Sequence, residues 1–114
     1  MIPTDFFREL TWGDLIVWAG KEAVALGRKI QLENRVQKLS VMQNGGLLAW
    51  VEEEDLYVTK VESDGADVIS ECTCNQIEDP CVHAIAVIIE YIVCLKRNID
   101  VPYTKLNDRR LFLL

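Results

Sequence analysis

Residues 71–83 read ECTCNQIEDPCVH, and the rest of the chain is best read outward from them. The stretch holds three of the four cysteines and the only histidine in 114 residues. Three chemistries would gather such groups: a disulfide staple, a thiol nucleophile beside its base, or a metal site. Spacing separates them. In an extended strand, side chains two positions apart point to the same face, so Cys72 and Cys74 at a strand end aim both sulfurs at one point. On a helix, positions two apart lie about 200° round from each other. Cys81 and His83 therefore cannot both be mid-helix ligands. Cys81 is expected at or before a helix start, with His83 in the first turn, and Pro80 supports that boundary. Residues 75–80 carry the chain from one pair to the other.

Three thiols and an imidazole form a donor set that suits zinc, with sulfur at about 2.3 Å and nitrogen at about 2.0–2.1 Å in a tetrahedron. Cys72, Cys74, Cys81 and His83 are thus the candidate ligands of one zinc ion. Four protein ligands leave no open position, so the metal would be structural. The second ring nitrogen of His83 needs an acceptor; Glu78 and Asp79 lie near in sequence, and a backbone carbonyl is the alternative. A staple fits less well, because Cys72 and Cys74 are only two apart and a cytosolic setting keeps thiols reduced. A catalytic pairing of Cys81 with His83 leaves Cys72 and Cys74 without a role. Cys94 lies three helical turns beyond His83, about 16 Å at 1.5 Å per residue, and reads as a small buried hydrophobe.

Downstream of the cluster, residues 82–97 read as a helix. Between positions 84 and 95 its only charge is Glu90. A helix apolar nearly all round is buried on more than one side, so it is expected centrally, with the sheet on one face and the first helix on the other. Upstream, Thr11 and Asp14 have capping-box spacing. Apolar Trp12, Leu15, Ile16, Ala19, Ala23 and Leu26 follow as a helical stripe, with Gly27 as the expected C-cap. One N-terminal helix over 11–27 is the expectation.

Between the helices, residues 35–72 break into short β-rich pieces: 35–42, 47–51, 56–62 and 68–72. Turn signals separate them: Asn44-Gly45-Gly46, the acidic tip formed by residues 52–55, and Asp64-Gly65. Short connections imply an antiparallel meander. Trp12 and Trp50 are expected in the core, and Trp18, on another side of the helix from Trp12, at the surface. Residues 98–114 read as an extended tail. The architecture expected is α+β: an antiparallel β-meander of about four strands, an N-terminal helix, a buried C-terminal helix, and a zinc loop over 72–83 where the last strand meets that helix. One domain over 1–114 is the natural count.

Half of the residues are hydrophobic and 26% are charged, an ordinary globular composition. Residues 1–5 lack the basic start of a signal peptide, and no apolar run approaches the ~18 residues of a membrane span; a cytoplasmic protein without membrane contact is the expectation. The net charge of −6 is uneven. Residues 51–80 carry one basic and ten acidic groups, against six and five before them and five and three after. An acidic chain is a poor generic nucleic-acid binder. No glycine loop cradles phosphate and no nucleophile elbow occurs, so an enzyme is not expected.

The pattern Cys72-Thr-Cys74, six residues, Cys81-Val-His83 resembles the SWIM-type zinc finger, written C-x-C, a variable loop, C-x-H. The likeness extends over residues 6–97, through Leu10-Thr11-Trp12-Gly13-Asp14-Leu15, Arg35-Val36, residues 46–51 and residues 81–87. The resemblance implies that the four pattern residues bind zinc in a strand–strand–helix unit. It also implies a module that binds protein or DNA, found beside helicase-like ATPases, in Mutator-type transposases and in ubiquitin-ligase-like proteins. Many members carry a basic residue where this chain has Val82, and the loop here holds Glu78-Asp79. The leading expectation is a protein-interaction adaptor, with a helicase-like ATPase as partner by resemblance. The alternative is a nucleic-acid-binding module using Arg28, Lys29, Arg35, Lys38, Lys96, Arg97, Arg109 and Arg110. Oligomeric state is not legible.

Overall fold

A computed structural model describes residue 7 and residues 9–63, 68–74 and 81–114. The Asp64-Gly65 turn and the loop 75–80, with Glu78, Asp79 and Pro80, lie outside the described residues, as do residues 1–5. Helices α1 (Trp12–Ala19) and α2 (Lys21–Leu32) come first. Strands β1 (Val36–Val41), β2 (Leu47–Glu53), β3 (Asp55–Ser63) and β4 (Val68–Cys72) follow. Helix α3 (Val82–Lys96) and a 3-10 turn (Arg109–Phe112) complete the order. The class is α+β, as expected.

The capping box forms as the sequence reads: Asp14 N–H donates to Thr11 Oγ1 at 3.2 Å and Thr11 N–H donates to Asp14 Oδ2 at 2.9 Å. The single helix expected over 11–27 is instead two. Gly20 takes φ 89°, a left-handed backbone that ends α1, and α2 starts at the next residue. Gly27 is not a C-cap either. It lies inside α2, where an added Cβ would come within 2.7 Å of Ile85 Cγ2 and 3.2 Å of the Ala86 nitrogen. Its missing side chain lets α2 and α3 approach closely. Further along both helices, Gln31 Nε2 donates to Glu90 Oε1 at 2.9 Å. Since Gly27 meets Ile85 and Gln31 meets Glu90, the two helices run in the same direction.

The four strands form one antiparallel sheet in the order β1-β2-β3-β4. Helix α3 lies between this sheet and α2, touching all four strands on one side and α2 on the other. Its residues 83–89 are all buried, which is why it can be apolar nearly all round. Alternation divides the sheet. Leu47, Ala49, Val51, Val61 and Val36 join the α3 core, whereas Leu48 and Val58 are buried outside that cluster. Trp50 lies between Ala49 and Val51, so it falls on the second face and is half-buried rather than part of the main core. Trp12 and Trp18 both pack half-buried against the core, so Trp18 is not the surface residue its position suggested.

Two regions differ further from expectation. Strands β2 and β3 continue through the acidic tip, with Glu52 opposite Leu56 and Glu53 opposite Asp55; Glu54, at φ 66°, makes the reversal. The tail is extended only at its start. Val41 N–H donates to the Pro102 carbonyl and Thr104 N–H to the Val41 carbonyl, both at 2.8 Å, so the tail covers the outer edge of β1. Arg110 then turns inward and is buried. Its guanidinium donates to Asp108, to Ser40 Oγ at 3.2 Å and to the Lys38 carbonyl. Lys38 itself has φ 55° at a register break in β1, and the buried arginine satisfies the carbonyl exposed by that bulge.

Candidate metal centre

Strand β4 ends at Cys72, and Cys74 follows beyond a residue that clamps the knuckle. Thr73 N–H donates to the Val58 carbonyl and Val58 N–H donates to Thr73 Oγ1, both at 3.0 Å. This pair of bonds holds the Cys-x-Cys turn against β3. Across the gap, Cys81 is the N-cap of α3, with extended backbone at φ −70° and ψ 141°. Its sulfur accepts from His83 N–H at 3.4 Å, the position a serine or aspartate cap would occupy. His83 sits in the first turn. The helix boundary therefore falls where the ligand spacing required.

Cys72, Cys74, Cys81 and His83 converge: their donor atoms all lie within 4.8 Å of one another. Cys72 Sγ is 3.4 Å from His83 Nδ1, and Cys74 Sγ is 3.4 Å from Cys81 Sγ. A zinc–sulfur bond of about 2.3 Å makes each edge of a tetrahedron about 3.8 Å, so the quartet has the size a zinc ion needs. Cys81 and His83 are buried, and Cys72 and Cys74 half-buried. All four cysteines are unbridged.

The surroundings suit these donors. Thr59 pairs with Cys72 across the β3–β4 ladder and brings its hydroxyl to 3.2 Å from the sulfur. Tyr57, two residues earlier on the same face, stacks on the imidazole with ring centroids 5.1 Å apart. The imidazole's other nitrogen, Nε2, is 2.9 Å from Glu53 Oε1. Of the acceptors expected for it, Glu78 and Asp79 lie outside the described residues; among the described residues the partner is the Glu53 carboxylate and not a backbone carbonyl. Glu53 was missed because it sits 30 residues away in sequence. A signal existed: Ala49 and Val51 face α3, and one more step of the same alternation reaches Glu53.

Charge within the quartet is shared unevenly. A hydrogen bond with Cys81 holds the Cys72 thiol far below its ordinary value against burial, and contacts with His83 and Thr59 add to this. The same contact with Cys72, together with burial, pushes the Cys81 thiol up. Burial disfavours a charge on His83, but hydrogen bonds to Cys72 and Glu53 outweigh it and lift the imidazole to about 9. Cys94 lies on α3 outside this cluster, buried, with its thiol raised by burial.

The basic residues fare differently. Arg28 stacks over Trp12, 5.4 Å from the ring centroid, and donates to Gln31 Oε1. Arg35 pairs with Glu33 at 2.8 Å. Arg110 is buried against β1 and cannot reach a ligand, so the reading that gave it to a nucleic-acid surface is corrected. Lys29, Lys38, Lys96, Arg97 and Arg109 are exposed.

No helix among the described residues is long and apolar enough to cross a membrane. No curated protein and no solved structure matches the chain. Residues 57–92, running from Tyr57 on β3 through the quartet and into α3, match the family model described as SWIM zinc finger, and the quartet of three cysteines and one histidine inside that stretch is a donor set arranged for one structural zinc ion.

Proposed function

We propose that Cys72, Cys74, Cys81 and His83 ligate that zinc, and that the chain, working as one unit over residues 1–114, is a non-enzymatic adaptor that binds a protein partner in the cytoplasm. A helicase-like ATPase is the partner class to which the family resemblance points. The observation that carries the reading is the closed donor set. Four protein donors fill a tetrahedral ion, which leaves no water for the metal to activate. No other cluster of metal-binding groups occurs among the described residues. The strongly acidic middle third supports a protein partner over a polyanion.

Nucleic acid remains the second reading, resting on the exposed lysines and on Arg97 and Arg109. Three of the eight basic residues named for it are already engaged: Arg28 on Trp12, Arg35 with Glu33, and Arg110 in the interior.

Identification of what co-purifies with the tagged, zinc-loaded chain from its own cell tests the adaptor reading. A stoichiometric protein that is lost from a Cys81→Ser variant is expected. Recovery of nucleic acid alone, released by salt, would replace the adaptor by the second reading.

A further inference from the structure

We propose that Glu53 is a positioning residue for the metal centre: its carboxylate holds the Nε2–H of His83 and so presents Nδ1 to the zinc. The inference rests on the ligand set proposed above and adds a fifth residue that the C-x-C…C-x-H pattern does not contain. Three observations converge on it. Nδ1 is the ring nitrogen turned toward the sulfurs, 3.4 Å from Cys72. Nε2 points the other way and meets Glu53 Oε1 at 2.9 Å. Tyr57 stacks against the ring with an interplanar angle of 21°, which leaves the imidazole little freedom to rotate.

The chemistry follows from the tautomer. A neutral imidazole carries one proton, and only the bare nitrogen can donate to a metal. A carboxylate acceptor at Nε2 fixes the proton there and leaves the Nδ1 lone pair free. It also makes the ring a stronger donor, the role that outer carboxylates play for metal-bound histidines. The position of Glu53 is set by the fold. It ends β2 on the α3-facing side, and the one-residue reversal at Glu54 keeps β2 and β3 paired to the very tip. Without that continuous pairing the carboxylate would not reach the first turn of α3. The acidic tip thus contains one residue with a structural task among neighbours that face solvent: Glu52, Glu54 and Asp55 are exposed.

The full zinc-loaded chain tests this with Glu53→Ala, Glu53→Gln and Cys81→Ser beside wild type. Zinc affinity is measured by competition with a chromophoric chelator. Long-range proton–nitrogen spectra report the imidazole, and with one histidine in the chain its signals are unambiguous. In wild type, Nδ1 is expected at a metal-bound shift and Nε2–H in slow exchange. Glu53→Ala should weaken zinc binding about 10- to 100-fold and speed exchange of Nε2–H. Glu53→Gln keeps an acceptor oxygen and should retain the Nε2–H signal and most of the affinity. Metal bound through Nε2, or a Glu53→Ala chain that holds zinc as tightly as wild type, overturns the inference. If Cys81→Ser loses zinc while Glu53→Ala does not, only this inference falls. If wild type takes up no zinc, the ligand assignment falls with it.

Discussion

Cys81 does two things at once, and a single substitution separates them. Its sulfur caps α3 by accepting from His83 N–H, and it lies in the donor quartet. Serine is among the better N-caps, so Cys81→Ser preserves the helix start and removes only the soft ligand. Loss of stoichiometric zinc and of several kcal/mol of stability is expected, read by elemental analysis and by unfolding with and without a chelator. Unfolding that a strong chelator leaves unchanged in wild type would refute a structural role for the ion. Protons compete with the metal for the same atoms. With His83 held up to about 9, zinc affinity should keep rising from pH 7 toward pH 9 and fall on acidification; chelator competition across that range checks the sign.

Asp108 supplies an independent acid-side test. The hydrogen bond from Arg110 holds its carboxyl below the ordinary value of 3.8. A depressed folded value means stability present above the unfolded pKa and lost as pH falls through the folded one. Stability should therefore drop below about pH 4, and Asp108→Asn should remove that part of the drop.

At the scale of elements, the α2–α3 contact is the tightest constraint. Gly27→Ala forces a methyl group against Ile85. Overpacking typically costs about 1–3 kcal/mol, and the better helix propensity of alanine returns about 1 at most. A net loss with a lower melting temperature is expected in thermal unfolding, where an ordinary mid-helix glycine would show a gain. The legibility of each element follows from how local its cause is. The Thr11–Asp14 cap, the strand pieces and the helix start at Cys81 depend on neighbours in sequence, and all were readable. Gly20 and Gly27 exchanged roles because sequence alone does not tell a glycine that breaks a helix from one that admits a neighbouring helix. Glu53 stayed hidden because its partner is distant, although the strand alternation pointed to its face. The quartet was readable because a tetrahedral ion imposes its own spacing, whatever the surrounding fold.

For the molecule as a whole, the tail is part of the structure and not an appendage. It covers the edge of β1 and inserts Arg110 beneath the bulge at Lys38. Removing one partner of a buried, charge-assisted network costs about 3–5 kcal/mol, so Arg110→Ala should destabilise the sheet strongly. Arg110→Lys should not restore it, because an ammonium cannot reproduce the planar fork; denaturant unfolding of both variants checks this. The other outer strand, β4, has Lys60 of its neighbour bridging Glu62 and Glu71, charges of the kind that discourage further strand pairing. Duplex DNA should bind weakly at near-physiological salt, and an Arg28/Lys29/Arg35 triple alanine variant should leave that binding unchanged by fluorescence anisotropy.

The shared direction of α2 and α3 bears on the basic residues in another way. Two side-by-side helices pointing alike bring both carbonyl-rich ends to one pole, where their partial negative charges add. Lys29 occupies the last turn of α2 and Lys96 the last turn of α3. Each cation so placed is worth about 0.3–1 kcal/mol at low ionic strength. A cationic pole that looks like a grip for a polyanion is thereby accounted for as a counterweight to aligned peptide dipoles.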